Sequence, residues 1–243
     1  MSLDATAIDR VVELAHDPLA TLTDDRTGLK YTDSELSLLS RPHATALEIN
    51  TLCGIRDYLN SGIDKRPNDQ IICNVLDRRT VMVFGTLDDE EKRSHYISAK
   101  FKCTDYSFGL WMTQEDFIIA LQTRFVTTPD LEKILLIASN VSDATVANFA
   151  DDGLCQQVTV KVGVAKVANT ELPGIVQLRP FRTFPDVEQP LSSFRLRARK
   201  GRSDAAPEFA IFEADGGKWE IDAIQTIAAW LKANITTEIT ILA

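Results

Sequence analysis

The sequence predicts an α+β fold made mainly of antiparallel β-sheet, with a helical hairpin and a helix docked near the C-terminal end. Three observations support this class. Strand patterns come in consecutive runs, without the regular strand–helix alternation of a doubly wound parallel sheet. Two helical patterns, at residues 113–125 and 128–138, are separated by a short turn. Three further strand patterns precede a long helical pattern within residues 175–231.

The composition is that of an ordinary globular protein. The 243 residues are 44% hydrophobic, which is enough for a full core in one large domain or two small ones. Since the sequence has no internal repeat, low-complexity tract or Gly/Ser linker, we predict a single domain over residues 1–243. Residues 1–43 are predicted to form an N-terminal helix and an extended arm, because residues 19–43 are polar and poorly periodic.

Short elements are predicted in the first half of the chain. An N-terminal helix ending near His16 carries four apolar residues on one face: Ile8, Val11, Val12 and Ala15. A brief strand at residues 47–49 precedes a helix that Thr51 can cap. Residues 70–102 alternate as a β-meander, whose charged segment at 88–93 is predicted to be a solvent-exposed turn.

The second half begins with the helical hairpin. Thr113, with Asp116 three residues later, matches a capping box, and Thr128-Pro129 matches the start of the second helix. Residues 158–164 alternate valine with other residues and are predicted to form a strand. Ile239 and Ile241 alternate around Thr240 as a final strand.

Residues 194–231 are predicted to form strands of one sheet, followed by a helix that packs on this sheet. Apolar residues alternate along both strands: Phe194, Leu196 and Ala198, then Phe209 and Ile211. Gly216-Gly217 ends the alternation, and helix 218–232 follows. We expect this helix to dock on that sheet through Ile224, Ile227 and Leu231.

Charge and cysteine content limit the classes of partner. The net charge of −9 disfavours nonspecific nucleic-acid binding by the whole surface, so an anion site would have to be local. The four widely spaced cysteines predict small buried side chains in a reducing cytoplasm: Cys53, Cys73, Cys103 and Cys155. The N-terminus lacks the pattern of a signal peptide, and no apolar run reaches membrane-spanning length, so we expect a cytoplasmic protein with no membrane partner.

Five stretches together resemble the YfdQ-like family of phage and prophage proteins. They are LEINTLCGIRDYL (47–59), TQEDFIIALQTRF (113–125), DDGLCQQVTVKVGV (151–164), LRPFRTFPDVEQPLSSFRLR (178–197) and FEADGGKWEIDAI (212–224). The run RPFRTFPDVEQP is the most specific, because it mixes proline, aromatic and charged residues so densely. The resemblance implies a viral or prophage origin and a location in the cytoplasm of a bacterial host cell. It implies no catalytic residue.

The residues that carry chemistry do not form a recognisable catalytic motif. Four carboxylates could form an acidic cluster for a divalent cation: Asp186, Glu188, Glu213 and Asp215. The competing interpretation is that Asp215 caps the following helix and Glu213 is solvent-exposed. The sequence contains neither a nucleophile elbow nor a phosphate-binding glycine loop. We therefore predict no catalytic residue, no metal and no cofactor.

Five cations within eight residues form the concentrated basic feature of the sequence. This basic ladder consists of Arg195, Arg197, Arg199, Lys200 and Arg202. Alternate arginines on a strand project from one face about 6.6 Å apart. Such a face can contact another subunit, bind single-stranded nucleic acid or remain solvated.

These patterns predict a non-catalytic phage or prophage protein that self-assembles into a homo-oligomer, such as a ring or closed shell. Three features favour contacts between copies: the polar arm, the basic ladder, and an expected exposed run at Phe181, Phe184 and Pro185. The first alternative is an accessory factor of phage DNA replication or recombination that binds single-stranded nucleic acid. The second is a metal-dependent enzyme acting on nucleotides or nucleic acid through the four carboxylates.

Overall fold

The computed structural model describes residues 5–16, 21–32, 43–64, 70–141, 150–151, 156–162, 166–201 and 207–243. Within these residues there are five α-helices, and the strands form four sheets. All strand pairings are antiparallel except the two at the outer edges of the largest sheet. This confirms the predicted α+β class with mainly antiparallel sheet.

The largest sheet has five strands in the order β14-β4-β5-β6-β3. Its strands are β3 (Leu47–Ile49), β4 (Ile72–Asp77), β5 (Thr80–Leu87), β6 (Arg93–Lys100) and β14 (Thr240–Leu242). The central three form the predicted antiparallel meander. In the charged turn between β5 and β6, the carboxylate of Asp88 accepts hydrogen bonds from the backbone N–H groups of Glu90 and Lys92.

Helices α2 (Leu52–Ser61) and α5 (Lys218–Asn234) pack with the five-stranded sheet. The predicted cap of α2 is confirmed, because Thr51 Oγ1 accepts a hydrogen bond of 3.2 Å from the N–H of Gly54. Gly62 ends the helix with a φ of 65°, a left-handed conformation that glycine adopts at little cost. The shared core includes Leu52, Ile55, Cys73, Val83, Ile227 and Leu231.

A second sheet has four strands in the order β11-β12-β13-β7. Its strands are β7 (Met112–Thr113), β11 (Val176–Leu178), β12 (Ser192–Arg199) and β13 (Glu208–Glu213). The predicted helical hairpin, α3 (Gln114–Arg124) and α4 (Pro129–Asn140), packs against it. Thr113 and Thr128 cap these helices as expected, by accepting hydrogen bonds from the N–H groups of Asp116 and Leu131.

The expected docking site of α5 was wrong. Its buried residues Ile227 and Leu231 belong to the core of the five-stranded sheet, and Ile224 is only partly buried beside them. The apolar face of β12 and β13 is covered by the helical hairpin instead, where the rings of Phe117 and Phe209 stack at 5.1 Å. Helical periodicity defines which face of a helix is apolar but not which sheet receives it.

The remaining elements lie in the N-terminal region and in the stretch before β11. Helix α1 (Ala5–His16) is present as predicted and ends at His16. Within residues 19–43, for which an extended arm is predicted, the structure describes a two-stranded antiparallel hairpin, β1 (Thr21–Thr23) and β2 (Lys30–Thr32). Residues 33–42 of the predicted arm lie outside the described residues. Strand β9 (Gln156–Val162) confirms the predicted strand as far as residue 162, whereas residues 163 and 164 lie outside the described residues. It pairs with β8 (Ala150–Asp151) and β10 (Lys166–Leu172). No helix in the described ranges is long and apolar enough to cross a membrane.

Candidate functional site

The run with the most specific sequence forms a loop between the two cores. This bridging loop, residues 179–190, inserts Phe184 into the core of the five-stranded sheet, whereas the flanking Leu178 and Phe194 belong to the other core. The expectation that Phe184 is exposed was therefore wrong, since its side chain is fully buried. Phe181 and Pro185 are exposed as expected. The run thus serves to join the two halves of the molecule.

One buried glutamine holds the bridging loop in shape. The side-chain oxygen of Gln189 accepts hydrogen bonds from the backbone N–H groups of Arg182 and Thr183, at 2.9 and 3.1 Å. Its side-chain nitrogen donates to the carbonyls of Thr183 and Phe184. Because the loop lacks strand partners here, these bonds satisfy backbone groups that burial would otherwise leave unpaired.

The guanidinium of Arg182 is the buried charge of the loop, with 2% of the residue exposed. Its Nη1 donates to Glu213 Oε1 at 2.6 Å, and its Nη2 donates to Ser192 Oγ at 2.7 Å. Its Cζ lies near three ring centroids: Trp219 at 3.8 Å, and Phe108 and Phe194 at 5.3 Å. Burial lowers the pKa of Arg182 to about 10, although Glu213 opposes the shift. The side chain is therefore a cation at neutral pH.

The bridging loop also holds the turn between β4 and β5. Thr183 Oγ1 donates a hydrogen bond of 2.6 Å to the carbonyl of Arg78, and Arg79 Nε donates one of 3.3 Å to the carbonyl of Arg182. These bonds connect backbone positions more than 100 residues apart. The backbone of the turn and the side chain of Arg79 are thereby held against the loop.

Two of the predicted acidic residues have structural partners in the loop region. The carboxylate of Asp186 accepts hydrogen bonds from the N–H groups of Leu52 and Cys53, at 3.3 and 3.1 Å, in the first turn of α2. A carboxylate is stabilised there by the helix dipole. Glu188 forms an ion pair with Arg179 and is largely exposed.

The other two acidic residues follow β13. Glu213 is the ion-pair partner of Arg182, with 41% of its side chain exposed. Asp215 Oδ1 accepts a hydrogen bond from the N–H of Gly217, which is itself the N-cap of α5, so Asp215 shapes the turn before the helix without capping it. Within the described residues, no group of three or more His, Cys, Asp or Glu is arranged to hold a metal ion.

The predicted burial of the cysteines is confirmed only for Cys73. Burial raises the pKa of its thiol to about 12. Cys53 and Cys103 are partly exposed. A hydrogen bond with Asp186 raises the pKa of Cys53, and burial raises that of Cys103. Raised pKa values lower the fraction of thiolate, which is the nucleophilic form. Cys155 lies outside the described residues.

The basic ladder lies on β12, with its apolar residues buried and its arginines on the opposite, half-buried face. Arg199 forms an ion pair of 2.6 Å with Glu208 on β13, and its Cζ lies 4.2 Å from the ring centroid of Trp111. Arg197 and Lys200 also have partners, whereas Arg195 stands opposite Phe212 in the strand register. Arg202 lies outside the described residues. Most of the described residues of the basic ladder therefore already have partners within the chain.

A different cationic surface lies where β4, β5 and β6 meet. This basic depression is shallow and open to solvent, and it is lined by Asp77, Arg78, Arg79, Thr80, Lys100, Phe101 and Lys102. Sequence reasoning missed it, because the four cations come from two segments about 20 residues apart. Antiparallel pairing brings the segments together, with Thr80 opposite Lys100.

The two arginines of the basic depression are held in place. Both form ion pairs with Asp105, and Arg79 Nη2 also donates to Cys103 Sγ at 2.9 Å. Arg78 stacks over Trp219, with Cζ 4.7 Å from the ring centroid.

Lys100 and Lys102 are exposed and form no ion pair in the described part of the chain. The depression therefore combines two fixed guanidinium groups with two exposed ammonium groups. Chemically, this arrangement suits the binding of an anion.

Comparison of the chain with protein-family models, with curated proteins and with solved structures finds no match. The resemblance to the YfdQ-like family therefore remains a prediction from the sequence.

Proposed function

We propose that this chain is a non-catalytic protein that self-assembles into a homo-oligomer through its N-terminal helix. The observation that supports this most directly is the exposure of α1, in which every side chain from residue 5 to residue 12 is exposed. Ile8, Val11 and Val12 are exposed by 49%, 60% and 46%. Because they are spaced by three and four residues, they form one apolar stripe on the helix.

A helix of this length needs a packing partner. Isolated helices shorter than about 12–15 residues are marginally stable in water, and most helical stability in proteins comes from packing an apolar face. Helix α1 has 12 residues, and its stripe is exposed. A partner outside the chain would supply the missing burial.

A second copy of the chain suits this role better than a membrane surface. Helices that lie on membranes carry lysine and arginine on their polar face, which attracts anionic lipids. The polar residues of α1 include Asp9, Arg10 and Glu13, which sum to a negative charge. Anionic lipid would repel this helix.

The helical hairpin offers α1 a place to pack on another copy. Ile119 on α3 and Leu136 on α4 are large apolar residues exposed by 50% and 65%. If α1 of one copy packs on the hairpin of the next, the contact joins two different surfaces. Such heterologous contacts build rings when the rotation between copies closes and open filaments when it does not, and the expected ring corresponds to the first case.

A phage or prophage origin and a location in the cytoplasm of a bacterial host belong to the same proposal. Their support is the resemblance of the five stretches quoted above, of which RPFRTFPDVEQP is the most specific. In the structure this run joins the two cores.

Replacing the apolar stripe tests the proposal. The variant Ile8→Ser/Val11→Ser/Val12→Ser should lower the solution mass towards that of the monomer, because it removes the apolar contact between copies. Multi-angle light scattering at micromolar concentrations measures the mass. The matched control is Asp9→Asn/Arg10→Gln, which changes the polar residues of α1, keeps the net charge and should retain the wild-type mass.

Two results would contradict self-assembly through α1. One is a wild-type protein that stays monomeric over the whole micromolar range. The other is a triple variant that keeps the wild-type mass while circular dichroism shows an unchanged fold.

A further inference from the structure

We propose that the basic depression binds the phosphate backbone of single-stranded nucleic acid, an activity separate from self-assembly. The site consists of Arg78, Arg79, Lys100 and Lys102, with Phe101 in its lining. It differs from the basic ladder in both position and composition, since it lies on the five-stranded sheet and its lysines form no ion pair with the described residues.

Charge is the first argument. The whole chain carries −9, but the lining of the depression contains four cations and one carboxylate, Asp77. Asp105 pairs with both arginines and leaves the two lysines unneutralised. A local excess of positive charge on an acidic protein attracts anions to that spot and away from the rest of the surface.

The fixed orientation of the arginines is the second argument. Arg79 is held by the carbonyl of Arg182, by Cys103 and by Asp105, and Arg78 is held by Trp219 and Asp105. A guanidinium that is already ordered loses less conformational freedom when it binds a phosphate.

The third argument is that both arginines keep N–H groups that can donate hydrogen bonds to a ligand. Arg79 donates hydrogen bonds through Nε and Nη2, and Arg78 donates through Nη2. The Nη1 groups of both arginines therefore make no hydrogen bond with the described residues. They can donate to phosphate oxygens together with the lysine ammonium groups.

Shape favours a polymer over a small ligand. Small molecules bind in concave pockets that bury most of their surface, whereas this depression is shallow and open. A nucleic-acid backbone can pass across such a surface, and Phe101 provides an aromatic side chain beside its path.

Lysine content favours nucleic acid over the acidic surface of a second copy. Protein interfaces are depleted of lysine, whereas phosphate contacts use lysine and arginine throughout. Lys100 and Lys102 are the exposed cations of the depression, so contacts between copies would have to bury the side chains that such interfaces disfavour.

The test compares two double variants that remove the same charge. Lys100→Gln/Lys102→Gln alters the depression, and Lys133→Gln/Lys232→Gln removes two exposed lysines from α4 and α5 as the control. Binding of a fluorescein-labelled oligothymidylate is followed by fluorescence anisotropy across a range of salt concentrations. Thermal melting and light scattering verify fold and mass for each variant.

The expected result is a weaker salt dependence for the depression variant only. Each lost phosphate contact on a single strand lowers the slope of log K against log salt by about 0.7, so two lost contacts lower it by about 1.4. When the salt rises from about 50 to about 200 mM, the affinity of the wild type should therefore fall by a factor roughly sevenfold larger than that of the depression variant. The control should match the wild type.

Three results would overturn the proposal. The first is a wild-type protein that does not bind the oligothymidylate at low salt. The second is equal weakening of binding in both double variants, which would indicate general charge attraction. In the third, the depression variant lowers the solution mass and leaves nucleic-acid binding unchanged, which would assign the lysines to contacts between copies.

Discussion

At the scale of single residues, Arg182 explains how a charged side chain can occupy the junction between two cores. Its guanidinium has an ion-pair partner in Glu213, a hydroxyl acceptor in Ser192 and an aromatic face in Trp219. Those partners offset the loss of hydration that burial imposes on a cation. The sequence marks the run around Arg182 as unusual, but Glu213 lies 31 residues away, and no local pattern links the two.

We expect Glu213→Gln to lower the free energy of unfolding by about 1.5–3 kcal/mol, the range for losing a hydrogen bond to a charged group. The matched control is Glu188→Gln, which removes the partner of Arg179 where the carboxylate is 75% exposed. This substitution should cost less than about 1 kcal/mol. Urea denaturation measures both values, and equal losses would mean that the Arg182–Glu213 pair contributes no more than a surface pair.

At the scale of elements, local signals defined the helices well. Thr51, Thr113 and Thr128 each cap the helix that their position predicts, since a hydroxyl oxygen before a helix accepts one of its free N–H groups. The partner of α5 could not be predicted in the same way. Both sheets present apolar faces, and the choice between them depends on how the hairpin of α3 and α4 already covers one of them.

The docking of α5 can be tested by pairs of substitutions. Ile227→Ala should lower the free energy of unfolding by about 2–5 kcal/mol, because its side chain is fully buried. Ile221→Ala is the control, since its side chain is 59% exposed, and it should change stability by less than about 0.5 kcal/mol. Urea denaturation of the single and double variants measures these effects.

The double variants identify the sheet that receives α5. Ile227→Ala should couple with Val75→Ala on β4 by at least about 0.5 kcal/mol and should add independently to Leu196→Ala on β12. The reverse pattern, with coupling to Leu196 alone, would place the helix on the four-stranded sheet.

At the scale of the whole molecule, the candidate sites show why charge patterns alone mislead. The basic ladder is conspicuous in the sequence, yet Arg199 already pairs with Glu208 inside the chain. The basic depression is inconspicuous, because its cations come from two separate segments, one just before β5 and one at the end of β6. Its prediction would have required the register that places Thr80 opposite Lys100, and no local pattern specifies a register.

Helix α1 and the rest of the molecule differ in how they bury apolar surface. The two cores are closed by α2, α5 and the helical hairpin, and the bridging loop joins them through Phe184 and Arg182. The apolar stripe of α1 remains exposed. Self-assembly through α1 is therefore the central proposal.

Amide hydrogen exchange of α1 across a dilution series tests this proposal most directly. In the assembled protein, the amides of residues 5–16 should be strongly protected, because docking on another copy stabilises their hydrogen bonds. Protection should fall on dilution, in parallel with the solution mass, and should be absent in the Ile8→Ser/Val11→Ser/Val12→Ser variant. Unprotected α1 amides in a protein that remains assembled would contradict the account, as would protection that is independent of concentration in a monomer.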